Sequence, residues 1–524
     1  MAEAQAPAMP DERIDPRKLI AFLAMCFGMF MAFLDIQIVS ASLSEIQAGL
    51  SASADEISWV QTSYLIAEVI SIPLSGFLSR ALGTRMMFAI SAAGFTFASL
   101  MCGFASDMSQ MIVWRAIQGF IGGGMIPTVF ASTYIIFPRS KMPLIVPMIG
   151  LIATLAPTIG PTIGGYLTEA LSWHWLFFIN VLPGIGVTIA AWLLIDFDKP
   201  NYKLFDHFDW WGLGLMAAFL GSLEYVLEEG PRYDWFDDTT IFVFTVICVV
   251  SAAGFFYRVL TAKQPIVDLY AFTDRNFMLG SLFSFVMGVG LYGLTYLYPV
   301  YLARIRGYDS LMIGETMFVS GAAMFLSAPV VGKLMNKVDP RAMLLFGFVT
   351  FAIGSWKMSY VTKDYDFWEL FVPQIWRGAG LMFAMVPITN LALGTLPPER
   401  LKNASGLYNL TRNLGGAVGL ALLNTVLNDR IDLHLARLHD AVSWARGPAT
   451  ETLATLTQRF TSLGYGTDAQ TMAIKQMTMM ARQQGTVMAF GDVFLLLAVV
   501  FMAFAALVLV MRKPPEQTQP ISDH

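Results

Sequence analysis

The sequence predicts an all-α, polytopic membrane protein, and three observations support this fold class. The chain of 524 residues is 56% hydrophobic and only 14% charged, whereas soluble domains carry roughly 25% charged residues. Its mean hydropathy is +0.59. Apolar runs long enough to cross a bilayer, which takes about 20 helical residues, recur from one end of the chain to the other.

Charged or turn-forming residues separate these runs into fourteen predicted transmembrane helices. The predicted spans lie near 19–45, 57–79, 86–105, 110–136, 143–170, 175–196, 209–227, 240–260, 276–302, 311–335, 342–361, 367–395, 404–427 and 487–511. The predicted division is a tail (1–18), a six-helix lobe (19–200), two additional linker helices (201–262), a second six-helix lobe (263–511) and a tail (512–524).

Basic residues are unevenly distributed between the connections. An even number of spans places both termini on one side, together with the clusters Arg13/Arg17/Lys18, Arg80/Arg85, Arg139/Lys141, Lys199/Lys203, Arg258/Lys263/Arg275, Lys333/Lys337/Arg341, Arg400/Lys402 and Arg512/Lys513. The short loops on the other side hold Arg232, Arg304, Arg306 and Lys363. Because Lys and Arg accumulate in cytoplasmic loops, we predict that both termini are cytoplasmic.

One outer connection, residues 428–486, is long and mixed in charge. Loops of this length in compact proteins are usually functional or disordered. Two interpretations stay open: a solvated helical hairpin, or a docking surface for a periplasmic partner.

Two segments recur in the same order along the chain. GFLSRALGTRMMFAI (76–90) and GKLMNKVDPRAMLLF (332–346) share Gly, Leu and Arg at their first, third and tenth positions. Downstream, WRAIQGFIGGGMIP (114–127) and WRGAGLMFAMVP (376–387) each combine a Trp-Arg pair with a later Pro. A parallel duplication of this kind is typical of two-lobed secondary transporters, and it predicts two pseudo-symmetric six-helix lobes plus two extra helices.

Six motifs resemble the major facilitator superfamily, and within it the fourteen-span drug:proton antiporters of the EmrB type. They are FLDIQIVSASL (33–43), GFLSRALGTR (76–85), VWRAIQGFIGGG (113–124), GLIATLAPTIGPTIGGYL (150–167), WHWLFFINVLPG (173–184) and ASGLYNLTRNLGGAVGLAL (404–422). The resemblance covers nearly the whole chain. Two positions depart from the family pattern: Arg80 stands where the loop motif has an acidic residue, and Gln37 where the first-span motif has Thr.

The resemblance implies a proton-coupled antiporter that exports hydrophobic or amphipathic compounds across the inner membrane by alternating access. It also implies an EmrA-like periplasmic adaptor and a TolC-like outer-membrane channel as partners. Within the loop motif, it assigns gating of the inner face to Gly76, Arg80, Gly83 and Arg85. No cofactor, metal or nucleic-acid partner is expected.

Other function classes have less support from the residues. A dedicated exporter of one endogenous metabolite, siderophore or lipid would carry the same motifs and stays an alternative. An integral membrane enzyme would need a nucleophile–base pair or a His/Asp cluster near a membrane face. The five histidines are sparse and show no such cluster, so we expect no enzyme activity.

Charged residues within the spans are the candidates for proton coupling, because a charge at bilayer depth costs about 2.5–3.5 kcal/mol on insertion scales. The candidates are Asp35, Glu68, Arg115, Glu224, Arg377 and Arg412. For each, a structural hydrogen bond or ion pair is the alternative role. Glu228 and Glu229, at the end of the same span as Glu224, are expected to form a solvated rim.

Polar and aromatic residues on the same spans are candidates for a substrate cavity. Gln61, Tyr64 and Glu68 follow a spacing of i, i+3 and i+7, so they share one helix face. The predicted lining residues are Phe33, Gln37, Gln61, Tyr64, Tyr292 and Tyr296.

The segment GLIATLAPTIGPTIGGYL places helix breakers inside a predicted span: Gly150, Pro157, Gly160, Pro161, Gly164 and Gly165. Gly160 and Gly164 form a small-x3-small surface that lets another helix approach closely, and the two prolines are expected to bend the helix. We expect this packed seam to seal the inward face against proton leak; a purely structural kink is the alternative.

Overall fold

The computed structural model describes residues 15–53, 56–335, 337–442 and 446–511, and within these ranges it contains helices and no strands. Arg13, Arg512 and Lys513 and most of the two predicted tails lie outside the described residues.

The described helices, in chain order, have the following bounds. They are α1 Pro16–Ala41, α2 Leu43–Leu50, α3 Trp59–Leu82, α4 Thr84–Gly103, α5 Met108–Gly122, α6 Met125–Ile136, α7 Met142–Ala170, α8 Trp175–Phe178, α9 Val181–Leu194, α10 Trp210–Glu229, α11 Thr239–Thr261, α12 Arg275–Tyr301, α13 Ser310–Met335, α14 Pro340–Met358, α15 Phe367–Leu393, α16 Pro398–Ala441, α17 Gly447–Ser462 and α18 Ala469–Leu507.

Among the described residues, ten helical segments are long and apolar enough to cross a membrane. Four further helices, α7, α14, α15 and α16, occupy the other four predicted spans. The protein is therefore a multi-pass membrane protein with the all-α fold class predicted, and the count of fourteen spans stays a prediction.

Aspartates at the span boundaries set where several helices begin. The side chain of Asp107 accepts a hydrogen bond from the backbone N–H of Gln110 at 2.9 Å, and that of Asp274 accepts from the N–H of Phe277 at 2.8 Å. Asp366 forms a capping box with Glu369. A side-chain acceptor at this position satisfies one of the free N–H groups of the first turn, so the polar breaks between apolar runs also start the helices.

The two described ends of the chain lie on the same face of the bundle, because Lys402 pairs with Asp198 beyond α9 and the adjacent Asn403 contacts Asp268 just before α12. Arg17 donates to the carbonyl of Leu193 at the end of α9 at 2.9 Å. Arg275, at the start of α12, donates to the carbonyl of Val510 at 2.7 Å. We call the face where α1 begins and α9 and α18 end the terminal face, and the face that carries α2 and α17 the opposite face.

The helices pack as two bundles, and one further helix, α10, contacts both of them. We call α1–α9 the N-terminal bundle and α12–α18 the C-terminal bundle. They meet where α7 packs on α13 and where α3 and α6 pack on α16. Helix α10 packs on α3 from one bundle and α16 from the other, and α11 packs on α10.

The long connection 428–486 is helical over most of its described length. α16 continues beyond its predicted span to Ala441, α17 follows, and α18 begins at Ala469. His434 and Asp492 join α16 to α18 through a 2.9 Å contact between Nε2 and Oδ2. The segment therefore has a helical-hairpin framework, while a docking role stays a prediction.

Contacts between the bundles close the terminal-face half of the molecule. Lys402, in the first turn of α16, donates to the carbonyl of Ser79 at 2.9 Å and forms an ion pair with Asp198. Ser405 donates to the carbonyl of Pro127 at 2.7 Å. A Cβ on Gly76 would lie 3.0 Å from the Lys402 carbonyl oxygen, so the two backbones are in direct contact here.

The residues of the loop motif 76–85 lie at this closed face. The guanidinium of Arg80 donates to the carbonyl of Gly76 at 3.3 Å, and Arg85 lies 5.1 Å from the ring of Trp192. Gly83 has a φ of +80°, which is unstrained only for glycine. The acidic partner of Lys402 comes not from the motif, where Arg80 stands, but from Asp198 beyond α9.

We expect Asp198→Asn to loosen the closed terminal face. The Asp198–Lys402 pair is largely buried, with 16% and 13% of the side chains exposed. Partly exposed ion pairs contribute up to about 1 kcal/mol to stability. Loss of this pair should therefore raise the fraction of molecules with an open terminal face by up to about fivefold. The measurement is the rate at which a thiol reagent modifies a single cysteine at position 405, in a chain without Cys26, Cys102 and Cys248. Asp209→Asn, which breaks the Asp209–Arg258 pair between α10 and α11, is the control; equal rates in both variants would contradict the expectation.

Candidate functional site

A buried carboxylate on α1 lies at the centre of the N-terminal bundle. Asp35 is 0% exposed, and its Oδ2 accepts a hydrogen bond from Nη1 of Arg115 at 2.6 Å. Its Oδ1 accepts from Nδ2 of Asn180 at 2.8 Å and from Nε2 of Gln118 at 3.1 Å. All three partners are donors, and an ionised carboxylate is an acceptor only. The arrangement of donors therefore matches an ionised carboxylate at this position.

Besides Asp35, groups from two other helices, α3 and α8, contact the Arg115 guanidinium. Its Nε donates to the carbonyl of Val60 at 3.0 Å, and it lies 4.3 Å from the ring of Tyr64 and 5.8 Å from that of Phe177. Its Nη2 has no hydrogen-bond partner. Because a buried charge is costly without its counter-ion, loss of the Asp35 charge would make this arrangement of Arg115 unfavourable.

Two members of this network, Gln118 and Asn180, were not predicted from the sequence. Gln118 follows Arg115 by three residues, so it lies on the same helix face. Asn180 precedes the first turn of α9 and also donates to Oγ of Ser99 at 3.1 Å. Each of the two is a polar residue inside an otherwise apolar motif, Gln118 in VWRAIQGFIGGG and Asn180 in WHWLFFINVLPG. That feature could have marked them as candidates for a buried polar network.

A cavity of about 750 Å³ lies between the two bundles, toward the opposite face. Its size is within the range of sites for small organic molecules. The lining includes polar, aromatic and acidic residues: Gln37, Gln61, Asn413, Asn424, Tyr292, Tyr296, Tyr308, Glu45, Glu68, Glu224, Glu228 and Asp309. Apolar lining residues include Ile36, Leu65, Leu227 and Leu420. Together with the closed terminal face, this cavity shows an arrangement that is open toward the opposite face.

The structure brings most of the predicted lining residues to this cavity. Gln37, Gln61, Tyr292 and Tyr296 line it, as do Glu68, Glu224 and Pro161. Tyr64 instead covers Arg115 and is 0% exposed. Phe33 is not part of the lining; its ring lies 5.6 Å from the Arg412 guanidinium.

The expectation that Glu228 and Glu229 form a solvated rim is wrong for Glu229. Glu229 is 3% exposed, accepts a hydrogen bond from Thr62 at 3.2 Å, and lies 3.9 Å from Arg232. Helix α10 packs against α3, which turns this side chain toward the protein. Glu228 lines the cavity.

The two buried arginines of the C-terminal bundle lack the carboxylate that Arg115 has. Arg377 donates to Oγ1 of Thr295 at 2.9 Å, and Arg412 donates to Oδ1 of Asn409 at 2.5 Å. Within the described ranges, neither forms an ion pair. Both bundles thus contain a buried arginine, but among the described residues only Arg115 is paired with a carboxylate.

The helix with the predicted breakers, α7, runs without interruption through Pro157 and Pro161. A Cβ on Gly160 would lie 2.5 Å from Cβ of Gln37, and one on Gly164 would lie 2.9 Å from the carbonyl oxygen of Ile38. These glycines therefore let α7 contact α1 beside Asp35.

Other residues of the same segment face different neighbours. A Cβ on Gly150 would lie 3.2 Å from Val386 of α15. Thr162 lies against Gly314 of α13, where an added Cβ would overlap its Oγ1. Gly165 is also buried in α7. α7 thus connects the Asp35 helix with the other bundle.

We expect Gly164→Leu to disturb the contact between α7 and α1. Overpacking of this kind costs about 1–3 kcal/mol, and here it acts on Ile38, three residues from Asp35. The variant should melt at a lower temperature and, in proteoliposomes, leak protons or transport without coupling. Gly186→Leu in α9 is a matched control, because a Cβ there meets no atom within 4 Å. If the two variants behave alike, the α7–α1 contact has no role in sealing.

Comparisons with known proteins agree with this architecture. A family model described as "Major Facilitator Superfamily" matches residues 25–420. The colistin resistance protein EmrB of Acinetobacter baumannii is 43% identical over 94% of this chain and 96% of its own length. The multidrug export protein EmrB of Escherichia coli K12 is 30% identical, over 95% and 96%. The fatty acid resistance protein FarB of Neisseria gonorrhoeae is also 30% identical, over 94% and 96%.

Solved structures show the same fold. The human organic anion transporter MFSD10 superposes with a TM-score of 0.58 at 12% identity, over 93% of this chain and all of that one. A bacterial homologue of the human lysosomal transporter Spinster, in an inward-facing conformation, gives a TM-score of 0.53 at 14% identity, over 96% of this chain and all of that one.

Proposed function

The chain belongs to the major facilitator superfamily, and on that premise we propose that it exports hydrophobic or amphipathic toxic compounds in exchange for protons. The observation that carries the proposal is the position of the Asp35–Arg115 pair. The pair is fully buried, yet Ile36 and Gln37, the residues next to Asp35, line the large cavity. A proton site and a substrate site therefore share one helix. The relatives, which are named for multidrug export and for resistance to colistin or fatty acids, support the same function.

The pair supplies a physical reason for coupling. In the arrangement open to the opposite face, Asp35 accepts hydrogen bonds from three donors, which suits its ionised form. A proton that reaches Asp35 removes the counter-charge of Arg115, so this arrangement loses stability relative to the one open to the terminal face. A ligand shifts such an equilibrium only by its difference in affinity for the two states. Proton uptake on one side and proton release on the other would then drive substrate outward.

We further propose that the terminal face is cytoplasmic and that the protein spans the inner membrane. The uneven distribution of Lys and Arg supports this orientation. In this scheme, residues 19–200 and 263–511 are the two lobes that rock, and residues 201–262 form the helix pair between them. The cavity of the present structure would then open to the outside, as expected for release of an exported compound.

Transport driven by a proton gradient tests the proposed function. In proteoliposomes with an imposed pH difference, addition of a transported compound should cause proton movement opposite to that of the compound. Accumulation of the compound should collapse when an ionophore removes the gradient. Transport at the same rate with and without the gradient would contradict the proposal.

We also propose a periplasmic adaptor and an outer-membrane channel as partners. In this proposal the partners bind the hairpin of α16, α17 and α18 at the opposite face. The length of the hairpin supports such a docking role. Replacing residues 443–468 by a Gly/Ser linker removes α17 and leaves the His434–Asp492 contact in place. We expect proton-driven transport in vesicles to persist and resistance in cells to be lost. Unchanged resistance would contradict the docking role.

A further inference from the structure

We propose that Glu68, Glu224 and Glu228 form a binding site for the positive charge of the substrate, so that the transporter prefers amphipathic organic cations. This inference rests on the export function proposed above and names its substrate class. We call these three residues the acidic wall. They come from two packed helices, α3 and α10, and all three line the cavity.

The acidic wall has no cation of its own. In the described chain, no Lys, Arg or His lines the cavity, and no ion pair involves any of the three carboxylates. Glu68 is 2% exposed, and its Oε1 has no hydrogen-bond partner. A buried, unpartnered carboxylate oxygen at a cavity wall marks a place where a ligand group is missing, because buried charges are otherwise paired.

Other buried acids within the spans, unlike those of the acidic wall, have partners within the protein. Asp35 is paired with Arg115, and Glu229 accepts from Thr62 and faces Arg232. The acids that hold the protein together are thus satisfied by protein groups, while those of the wall are left to face the cavity. Glu224 and Glu228 are four residues apart, and like charges at this spacing repel each other. A cation between them would relieve that repulsion.

Two arginines, Arg115 and Arg412, lie near Glu68, but neither forms an ion pair with it among the described residues. Arg115 is committed to Asp35. Arg412 donates to Asn409 and lies between the rings of Phe33 and Phe130, at 5.6 and 5.3 Å. Neither lines the cavity or donates a hydrogen bond to Glu68.

The rest of the cavity suits the remainder of such a substrate. Tyr292 and Tyr296 of α12 line it together with Leu65, Leu227 and Leu420. Aromatic faces attract cations, and the leucines offer apolar contact. Glu224 and Glu228 belong to α10, a helix outside both bundles. This helix therefore contributes directly to substrate selection.

Two probes of nearly equal shape and opposite charge test the proposal: tetraphenylphosphonium and tetraphenylborate. Binding to the purified protein in detergent is measured by titration calorimetry. We expect the wild type to bind the phosphonium at least about tenfold more tightly than the borate, and Glu224→Gln/Glu228→Gln to lose about tenfold in phosphonium affinity. Binding of the borate should be unchanged or improved. Glu229→Gln, on the same helix but outside the cavity lining, is the control and should bind both probes like the wild type.

Thermal unfolding separates a binding role from a structural one. Neutralising an unpaired buried acid should raise the melting temperature of the ligand-free protein, whereas loss of a structural contact should lower it. The single variant Glu228→Gln, at a half-buried position, covers the case in which the double variant does not fold. Equal affinity of the wild type for both probes, binding of neither probe, or full phosphonium affinity in the variants would overturn the proposal. Because binding is read without a proton gradient, these outcomes are distinct from a failure of proton-coupled transport.

Discussion

Asp35→Asn should abolish proton-driven transport, with a loss of at least about 100-fold, while the protein stays folded and binds substrate. The substitution keeps the shape of the side chain, and its Oδ1 can still accept a hydrogen bond from Arg115, but the group no longer takes up a proton. Since general proton-transfer groups contribute about 100- to 10,000-fold where they are essential, a loss of this size is expected for the only acid–base pair in this network. The measurement is uptake of compound into proteoliposomes under an imposed pH difference.

Asp209→Asn is the matched control for that experiment. Asp209 is also buried and paired with an arginine, Arg258 at 2.9 Å, but it lies at the beginning of α10 near the terminal face. It should retain proton-driven transport. Comparable losses in the two variants would show that removal of any buried acid disables the protein, and would remove Asp35 from its proposed role.

Arg115→Gln should destabilise the protein by about 3–5 kcal/mol, because it leaves the Asp35 carboxylate buried without its counter-ion. The double variant Asp35→Asn/Arg115→Gln should recover most of that stability, since both charges are then gone. Neither variant should transport against a gradient. Melting temperature in detergent and transport in vesicles give the two readouts.

This pair of variants separates stability from coupling. If the Arg115→Gln variant were as stable as the wild type, the guanidinium would not be compensating the Asp35 charge. If the double variant regained transport along with stability, the pair would be structural, and proton coupling would lie elsewhere.

The all-α membrane fold was predictable because its signals are local. A run of about 20 apolar residues identifies a span without reference to any other part of the chain. The same logic identified Asp35, Arg115 and Glu68, since a charge inside such a run needs a reason to be there.

The partners of these charges were not predictable, because they come from distant parts of the chain. Asp35 meets Asn180 across 145 residues, and no periodicity in either segment records that contact. Periodicity places residues on one face of a helix, but the neighbour of that face depends on how the helices pack. For this reason Gln61 and Glu68 reach the cavity, whereas Tyr64, on the same predicted face, covers Arg115.

The position of α10 shows the same limit. The sequence marks 201–262 as extra helices between two repeats but does not say against what they pack. In the structure α10 lies between α3 and α16, and this brings Glu224 and Glu228 into the cavity and buries Glu229.

Whether Asp35 exchanges a proton for substrate is tested by the number of protons that the protein releases when substrate binds. The purified protein in weakly buffered detergent solution is mixed with a compound that it exports in vesicles, and the pH change is recorded. We expect the wild type to release protons on binding and Asp35→Asn to bind the compound without releasing them. Equal proton release by the two proteins would rule out Asp35 as the group that exchanges a proton for substrate.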